Sequence, residues 1–249
     1  MVDAIVLAGS GKGEIEKKFG VSNRALLVIE GKFMVEYVTG ALRDVASIGK
    51  IVVVGPVEDF QSRIGSKVTQ IVQPGRNPFE SMLHGLEALE PSGKILVVAG
   101  DLPLLRGEMI EDFFLRCEKK EADFYYPIVR KEVYEERIGK GQRTFVKVKE
   151  GSFTGGNFFL LDPKVIQKKR EWIMQMVENR KNPFAMARIL GLAIIVKYLL
   201  GRLRIEDVEK RVENVLGMKG VAIITPYPEI GFDVDKVEHV EKARELLSK

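Results

Sequence analysis

A single cysteine, Cys117, stands in a chain of 249 residues. One thiol rules out an internal disulfide framework and a cysteine-rich zinc site. The only histidines, His84 and His239, have no visible relation to it, which leaves no Cys–His nucleophile. Cys117 is expected on the buried face of a helix, as a small hydrophobe. Dense basic runs and RNP-like aromatic motifs are also missing. The net charge is only +4, with lysine and arginine spread along the whole length. That balance suits a small anionic substrate and excludes nucleic acid as an expected partner. The longest apolar stretch, Leu192 to Val196 continuing at Leu199 and Leu200, is interrupted by Lys197 and is too short for a bilayer. No charged, then apolar, then small-residue cleavage pattern opens the chain. No membrane partner is expected, and a cytoplasmic location is. No Pro-, Gly- or Ser-rich linker divides the sequence, so one domain is expected over 1–249.

The chain is 45% hydrophobic and 30% charged, enough for a substantial core. Abundant Lys, Glu, Arg, Ile and Val, with few Asn and Gln, point toward a thermophilic source. The first half alternates. Strands are expected at Asp3–Ala8, Lys50–Val54, Gln70–Gln73 and Lys94–Ala99, mostly as continuous apolar runs buried on both faces. Helices are expected at Met34–Val45, Glu58–Ile64, Phe79–Leu89 and Glu108–Lys120. Asn77 as cap, Pro78 at the first position and Glu80 closing a capping box mark the start of the third. After Ala122 the rhythm changes. Strands are expected at Asp123–Val129, Phe145–Lys149, Asn157–Leu161 and Val221–Thr225, with a loop at Gly139–Gln142. Helices are expected at Pro163–Lys181, Pro183–Gly191, Leu192–Leu200, Ile205–Leu216 and Lys236–Leu247. The expected class is α/β, a Rossmann-like three-layer α/β/α sandwich with a mostly parallel sheet.

Four features fall at the carboxyl ends of expected strands, where ligands bind in such sheets. The loop Ala8-Gly9-Ser10-Gly11-Lys12-Gly13 can cradle phosphate oxygens on its amides, with Lys12 adding a point charge. It matches neither a Walker A loop, because Gly13 and Glu14 follow Lys12, nor the dinucleotide fingerprint, because Gly11 and Gly13 are too close. An ordinary glycine turn is the plainer reading. Arg24 lies about a dozen residues on and can fold back over the same phosphates, or be a solvated arginine. Asp101 ends an apolar strand before a Leu-Pro turn. A carboxylate there suits Mg²⁺, or stabilises the turn. Alternation puts Asp233 and Asp235 on one side of an extended segment. Asp235 also reads as the cap of the last helix, with Glu238 completing a capping box.

This order of features resembles the MobA-like nucleotidyltransferases: glycine loop, basic residue, a strand ending in Gly-Asp-Leu-Pro-Leu-Leu, and a late Asp-Val-Asp before a C-terminal helix. The likeness covers most of 1–120 and 220–249. It implies a nucleotide-diphospho-sugar transferase type of fold, with a nucleotide-binding half at 1–120 and an acceptor-side half at 121–249 carrying extra helices at 163–216. It implies that Leu7, Ala8, Gly9, Ser10 and Gly11 bind nucleotide, that Gly75, Asn77 and Ser81 read the base, and that Gly155, Gly156 and Asn157 line the acceptor pocket. It makes Asp101 the first Mg²⁺ ligand and Asp235 the second, beside Asp233. Two departures stand out. Gly13 and Glu14 replace the arginine that usually follows the glycines, and Asn23-Arg24 replaces Pro-Lys. Lys12, Lys17 or Lys18 are the candidates to replace the lost charge.

The implied reaction moves a nucleoside monophosphate group from a nucleoside triphosphate, GTP or CTP by resemblance, to a phosphorylated small-molecule acceptor. An acceptor phosphate attacks the α-phosphorus and pyrophosphate leaves, so catalysis is charge neutralisation and positioning. Lys12, Arg24 and Asp101 carry it. An ionised phosphate needs no general base. Two rivals stay open: a nucleotide-binding protein on the same fold with lost or altered catalysis, and a Rossmann oxidoreductase, which only the glycine loop suggests. Lys197, Arg202, Arg204 and Arg211 form either an acceptor-phosphate face or a dimer contact with solvated charges, so a homodimer is one expected assembly.

Overall fold

The structure is a computed structural model, and it describes residues 1–9, 13–141, 143–166, 174 and 191–248. Eleven strands are present among these residues, and nine of them form one sheet. The N-terminal strands β1 (Val2–Leu7), β4 (Ile48–Val54), β5 (Gln70–Val72) and β6 (Ile95–Ala99) run parallel, in the order β5-β4-β1-β6. Beyond β6 the sheet becomes mixed. β10 (Phe158–Leu161) lies antiparallel between β6 and β7 (Phe124–Arg130), and β11 (Gly220–Thr225) joins β7 in parallel. The antiparallel strands β9 (Gly151–Gly155) and β8 (Val146–Val148) complete that side. A separate two-stranded ribbon pairs β2 (Val28–Ile29) with β3 (Lys32–Phe33).

Alternation along the buried strands divides the core into two faces. Ala4, Val6, Leu96 and Val98 point to one, Ile5, Ile95 and Val97 to the other. The first face is covered by α2 (Met34–Arg43), α3 (Val57–Ile64), α5 (Gly107–Cys117) and α9 (Val237–Leu247). The second is covered by α4 (Pro78–Leu89) and α8 (Ile205–Leu216). The three-layer sandwich expected from the rhythm of the first half is therefore present. Cys117 lies buried on α5, and burial pushes its thiol up to about 12.

Several local expectations need correction. Asn77 caps α4 through a 2.9 Å bond from the Glu80 amide, and Pro78 opens the helix. Glu80, however, does not close a capping box on Asn77; its carboxylate takes the Arg76 amide and guanidinium instead. The cap position of α9 is Lys236 rather than Asp235, whose carboxylate meets the His239 ring at 2.9 Å. Two charged helices unmarked by periodicity appear, α1 (Glu14–Phe19) and α6 (Lys131–Arg137), while the helix expected at 192–200 is present as α7 (Leu192–Leu199). Of the helices expected at 163–181 and 183–191, only residues 163–166 are described as helical, with Met174; the rest lie outside the described residues. Among the described residues no helix is long and apolar enough to cross a membrane.

Candidate active site

The ends of β1 and β6 form one wall of a cleft. Parallel pairing sets Leu7 beside Ala99, and the Gly100 amide donates to Leu7 at 2.9 Å. A Cβ on Gly100 would stand 2.8 Å from that of Ala8, so only glycine lets the two loops touch. Gly9 is crowded in the same way by Pro74, at 2.6 Å. The expected phosphate-loop residues Ser10, Gly11 and Lys12 lie outside the described residues.

Asn23, fully buried, ties the next segment to this wall. Its side chain donates to the Ala8 carbonyl at 2.6 Å and accepts from the Ala25 amide at 2.8 Å, capping the turn of 3₁₀ helix Arg24–Leu26. Arg24 is thereby aimed at Asp101, and the two pair at 2.8 Å. Paired with the acidic residue, Arg24 still lines the same cavity as Ala8 and Gly9. A cavity of about 190 Å³ is lined by Leu7, Ala8, Gly9, Arg24, Ser81 and Asp101, among others. Of the three residues expected to read the base, Ser81 faces this cavity. Gly75 and Asn77 shape the turn leading to α4: the Gly75 amide donates to the Ser81 hydroxyl at 3.0 Å, and a Cβ on Gly75 would run into Glu80.

The second acidic segment arrives from the far end of the chain. A turn of 3₁₀ helix, Pro228–Gly231, follows β11, and the Val234 amide then donates to the Asp101 carbonyl at 3.1 Å. That bond brings Asp233 and Asp235 into the electrostatic field of Asp101. Burial pushes the Asp101 carboxyl up to about 6; Arg24 pulls it back down, while Asp233 and then Asp235 push it up again. The His239 ring nitrogen Nδ1 meets the Asp233 carbonyl at 3.0 Å and the Asp235 carboxylate at 2.9 Å. Both partners are oxygens, so Nδ1 carries the hydrogen and holds both residues in place.

Asn157 joins the halves. Its carbonyl accepts from the Ala99 amide at 3.0 Å, its amide donates to Ile230 at 2.9 Å, and its side chain donates to Asp233 at 3.1 Å. Gly155 and Gly156 bring the backbone close: a Cβ on Gly155 would land on the Tyr126 hydroxyl, and one on Gly156 would lie 2.9 Å from Pro127. The Gly155 carbonyl is taken by Arg143, at 2.7 Å. Arg143 also pairs with Asp233 at 2.6 Å. A second cavity, about 380 Å³, lies on this side, lined by Tyr134, Gly141, Arg143, Thr144, Thr154, Asp233, Asp235, Lys236 and His239. Burial pushes the Tyr134 phenol up to about 12, so it stays a neutral donor. Arg143 and His239 are site residues that sequence reasoning missed. The signal for Arg143 was a second glycine and basic loop, Gly139-Lys140-Gly141-Gln142-Arg143.

The carboxylates expected to hold a cation, Asp101, Asp233 and Asp235, are hard oxygen ligands. Among the described residues no three acidic, histidine or cysteine side chains converge on one point. Asp101 with one partner from 233–235 is the kind of set that suits Mg²⁺, which takes one or two carboxylates and leaves other positions to phosphates and water.

Residues 4–188 match the MobA-like NTP transferase domain. The chain belongs to this family. A solved hypothetical transferase from Thermus thermophilus is 37% identical, with a TM-score of 0.85 over 96% of this chain and 99% of that one. Two more distant folds are also similar. One is 4-diphosphocytidyl-2C-methyl-D-erythritol synthase from Anaerococcus prevotii, 15% identical, with a TM-score of 0.61 over 100% of this chain and 96% of that one. The other is CMP:2-keto-3-deoxy-manno-octonic acid synthetase, solved in complex with CTP, 14% identical, with a TM-score of 0.66 over 99% and 98%. Both share the Rossmann-like arrangement of a mixed, mostly parallel sheet between helices. A search of the curated proteins found no match. The MobA-like expectation from the four motifs agrees with the family match.

Proposed function

We propose that this MobA-like chain is a Mg²⁺-dependent nucleotidyltransferase, which moves a nucleoside monophosphate group from a triphosphate to a phosphorylated small-molecule acceptor and releases pyrophosphate. The observation that carries the reading is the 3.1 Å bond from Val234 to Asp101, which sets the two acidic segments at one seam with a cavity on either side. The smaller cavity, walled by Ala8, Gly9 and Ser81, is assigned to the triphosphate. The larger, with Arg143, Lys236, Thr144 and Thr154, is assigned to the acceptor. CTP is the favoured donor, because one fold relative was solved with CTP and another is named for a diphosphocytidyl product.

In this assignment Asp101, with Asp235 or Asp233, holds the cation. When bound, Mg²⁺ neutralises the α-phosphate and orients it for in-line attack. The chain's own residues do the rest. Gly9 admits the phosphates to the backbone amides of the glycine loop. Lys12 and Arg24 stabilise the departing pyrophosphate. Arg143 and Lys236 hold the acceptor's anionic group against the seam. His239 and Asn157 keep Asp233 and Asp235 from turning away. Because the attacking phosphate is already ionised, no side chain has to remove a proton.

Pyrophosphate release measured over a panel of triphosphates and phosphorylated acceptors tests the reading. Asp101→Ala turning over like wild type would sink it. A second reading, a nucleotide-binding protein without turnover, is favoured by Glu14 in the usual arginine position and by the Arg24–Asp101 pair. Calorimetry showing tight triphosphate binding, with no product from any acceptor, would establish that reading instead.

A further inference from the structure

We propose that Arg143 is a reserve anion-binding residue: it serves as the resident counter-ion of Asp233 in the ligand-free protein, and passes to the acceptor's anionic group when a divalent cation takes over that carboxylate. The inference rests on the transferase reading and adds an order of binding to it.

Three observations carry it. First, Arg143 is fully engaged by acceptors of the site itself, Asp233 at 2.6 Å, the Gly155 carbonyl at 2.7 Å and Asn157 at 3.4 Å, and yet it lines the larger cavity. A guanidinium so placed has only to change partners to meet an anion in that cavity. Second, both described hydrogen bonds to the Asp233 carboxylate, from Arg143 and from Asn157, fall on Oδ1. A dication competes for such an oxygen with twice the charge of the arginine. Third, Arg143 follows Gly139 and Gly141, with φ of 124° and 79°, in a region of backbone that L side chains rarely adopt. The loop that carries it is built on residues with the widest conformational range.

Arg24 pairs with Asp101 on the other cavity, at 2.8 Å, so each side of the seam has an arginine on its own aspartate. The consequence for Arg143 is a sequence of events. The acceptor anion meets an occupied arginine until Asp233 is neutralised by something else. Acceptor affinity therefore depends on the cation even where the acceptor never touches it.

The test uses the whole chain, with Mn²⁺ alone as the first probe and no nucleotide present. Mn²⁺ binding is followed by electron paramagnetic resonance in wild type, Arg143→Gln and Arg143→Lys, with thermal melts as the folding control. Arg143→Gln should bind Mn²⁺ roughly three- to fivefold more tightly than wild type, the range of a partly exposed ion pair. Arg143→Lys, which keeps the charge but loses the fork, should fall between them. Inorganic phosphate is the second probe, titrated with and without Mg²⁺. Mg²⁺ should raise phosphate affinity in wild type and do so less in Arg143→Gln. Mn²⁺ affinity that is the same in all three proteins overturns the proposal and leaves the transferase reading standing. If wild type binds no Mn²⁺ and Asp101→Asn behaves alike, both fall. Should Arg143→Gln fail to fold, Arg143→Lys decides, and Mn²⁺ affinity equal to wild type counts against the proposal.

Discussion

The amide of Val234 donates to the carbonyl of Asp101, across 133 positions of sequence, at 3.1 Å. One backbone bond thus joins the loop after β6 to the approach of the last helix. The neighbours of these two residues, Arg24, Asp233 and Asp235, then set the charge of the seam.

Burial of the Asp101 carboxylate costs the ligand-free fold stability. Its folded value of about 6 lies above the ordinary 3.8, so the ligand-free protein binds the proton more tightly folded than unfolded. The burial cost is absent below pH about 4 and complete above about 6, where it amounts to roughly 3 kcal/mol. That figure is already net of the Arg24 attraction, which pulls the carboxyl down. Asp101→Asn should therefore melt higher than wild type at pH 8, with the advantage shrinking as pH falls from 6 toward 4. A pH-independent difference, or a lower melting point at pH 8, counts against this account.

Asn23 links Ala8 to the turn that carries Arg24 through two buried bonds of 2.6 and 2.8 Å. Asn23→Ala leaves the Ala8 carbonyl and Ala25 amide without those partners. Urea unfolding should show a loss of about 1–3 kcal/mol. Triphosphate affinity should fall with it, because Arg24 loses its support.

Gly75 approaches Ser81 so closely that a Cβ would stand 2.8 Å from the Ser81 amide and run into the Glu80 side chain. Gly75→Ala should shift the start of α4 and cost about 1–3 kcal/mol. Ser81→Ala, which removes only the acceptor for the Gly75 amide, should cost about 1 kcal/mol. Equal melting points for the two variants would contradict the crowding argument.

Cys117 is buried on α5 with its thiol pushed up to about 12. The thiolate is the reactive form, so native protein at pH 8 should react with iodoacetamide at least about a hundredfold more slowly than free cysteine. Reaction at the free rate would place the thiol at the surface.

The parallel core was legible because residues 4–6 of β1, 51–54 of β4 and 95–98 of β6 are buried and read as unbroken apolar runs. The acidic seam was legible because each aspartate follows a strand or precedes a helix in a recognisable order. α6 was not, since Tyr134 is its only buried residue and one anchor makes no period. Arg143 was hidden because its meaning lies in a partner 90 residues away. The cap of α9 was misplaced by one residue: Asp235 looked like a cap, but His239 claims its carboxylate.

The closing helix α9 packs against α1, which opens at Glu14, and against β2. The first and last helices of the chain therefore share a surface. Asp233 and Asp235 lie just ahead of α9, so the acidic wall of the second cavity leans on a helix contact that touches neither cavity's floor.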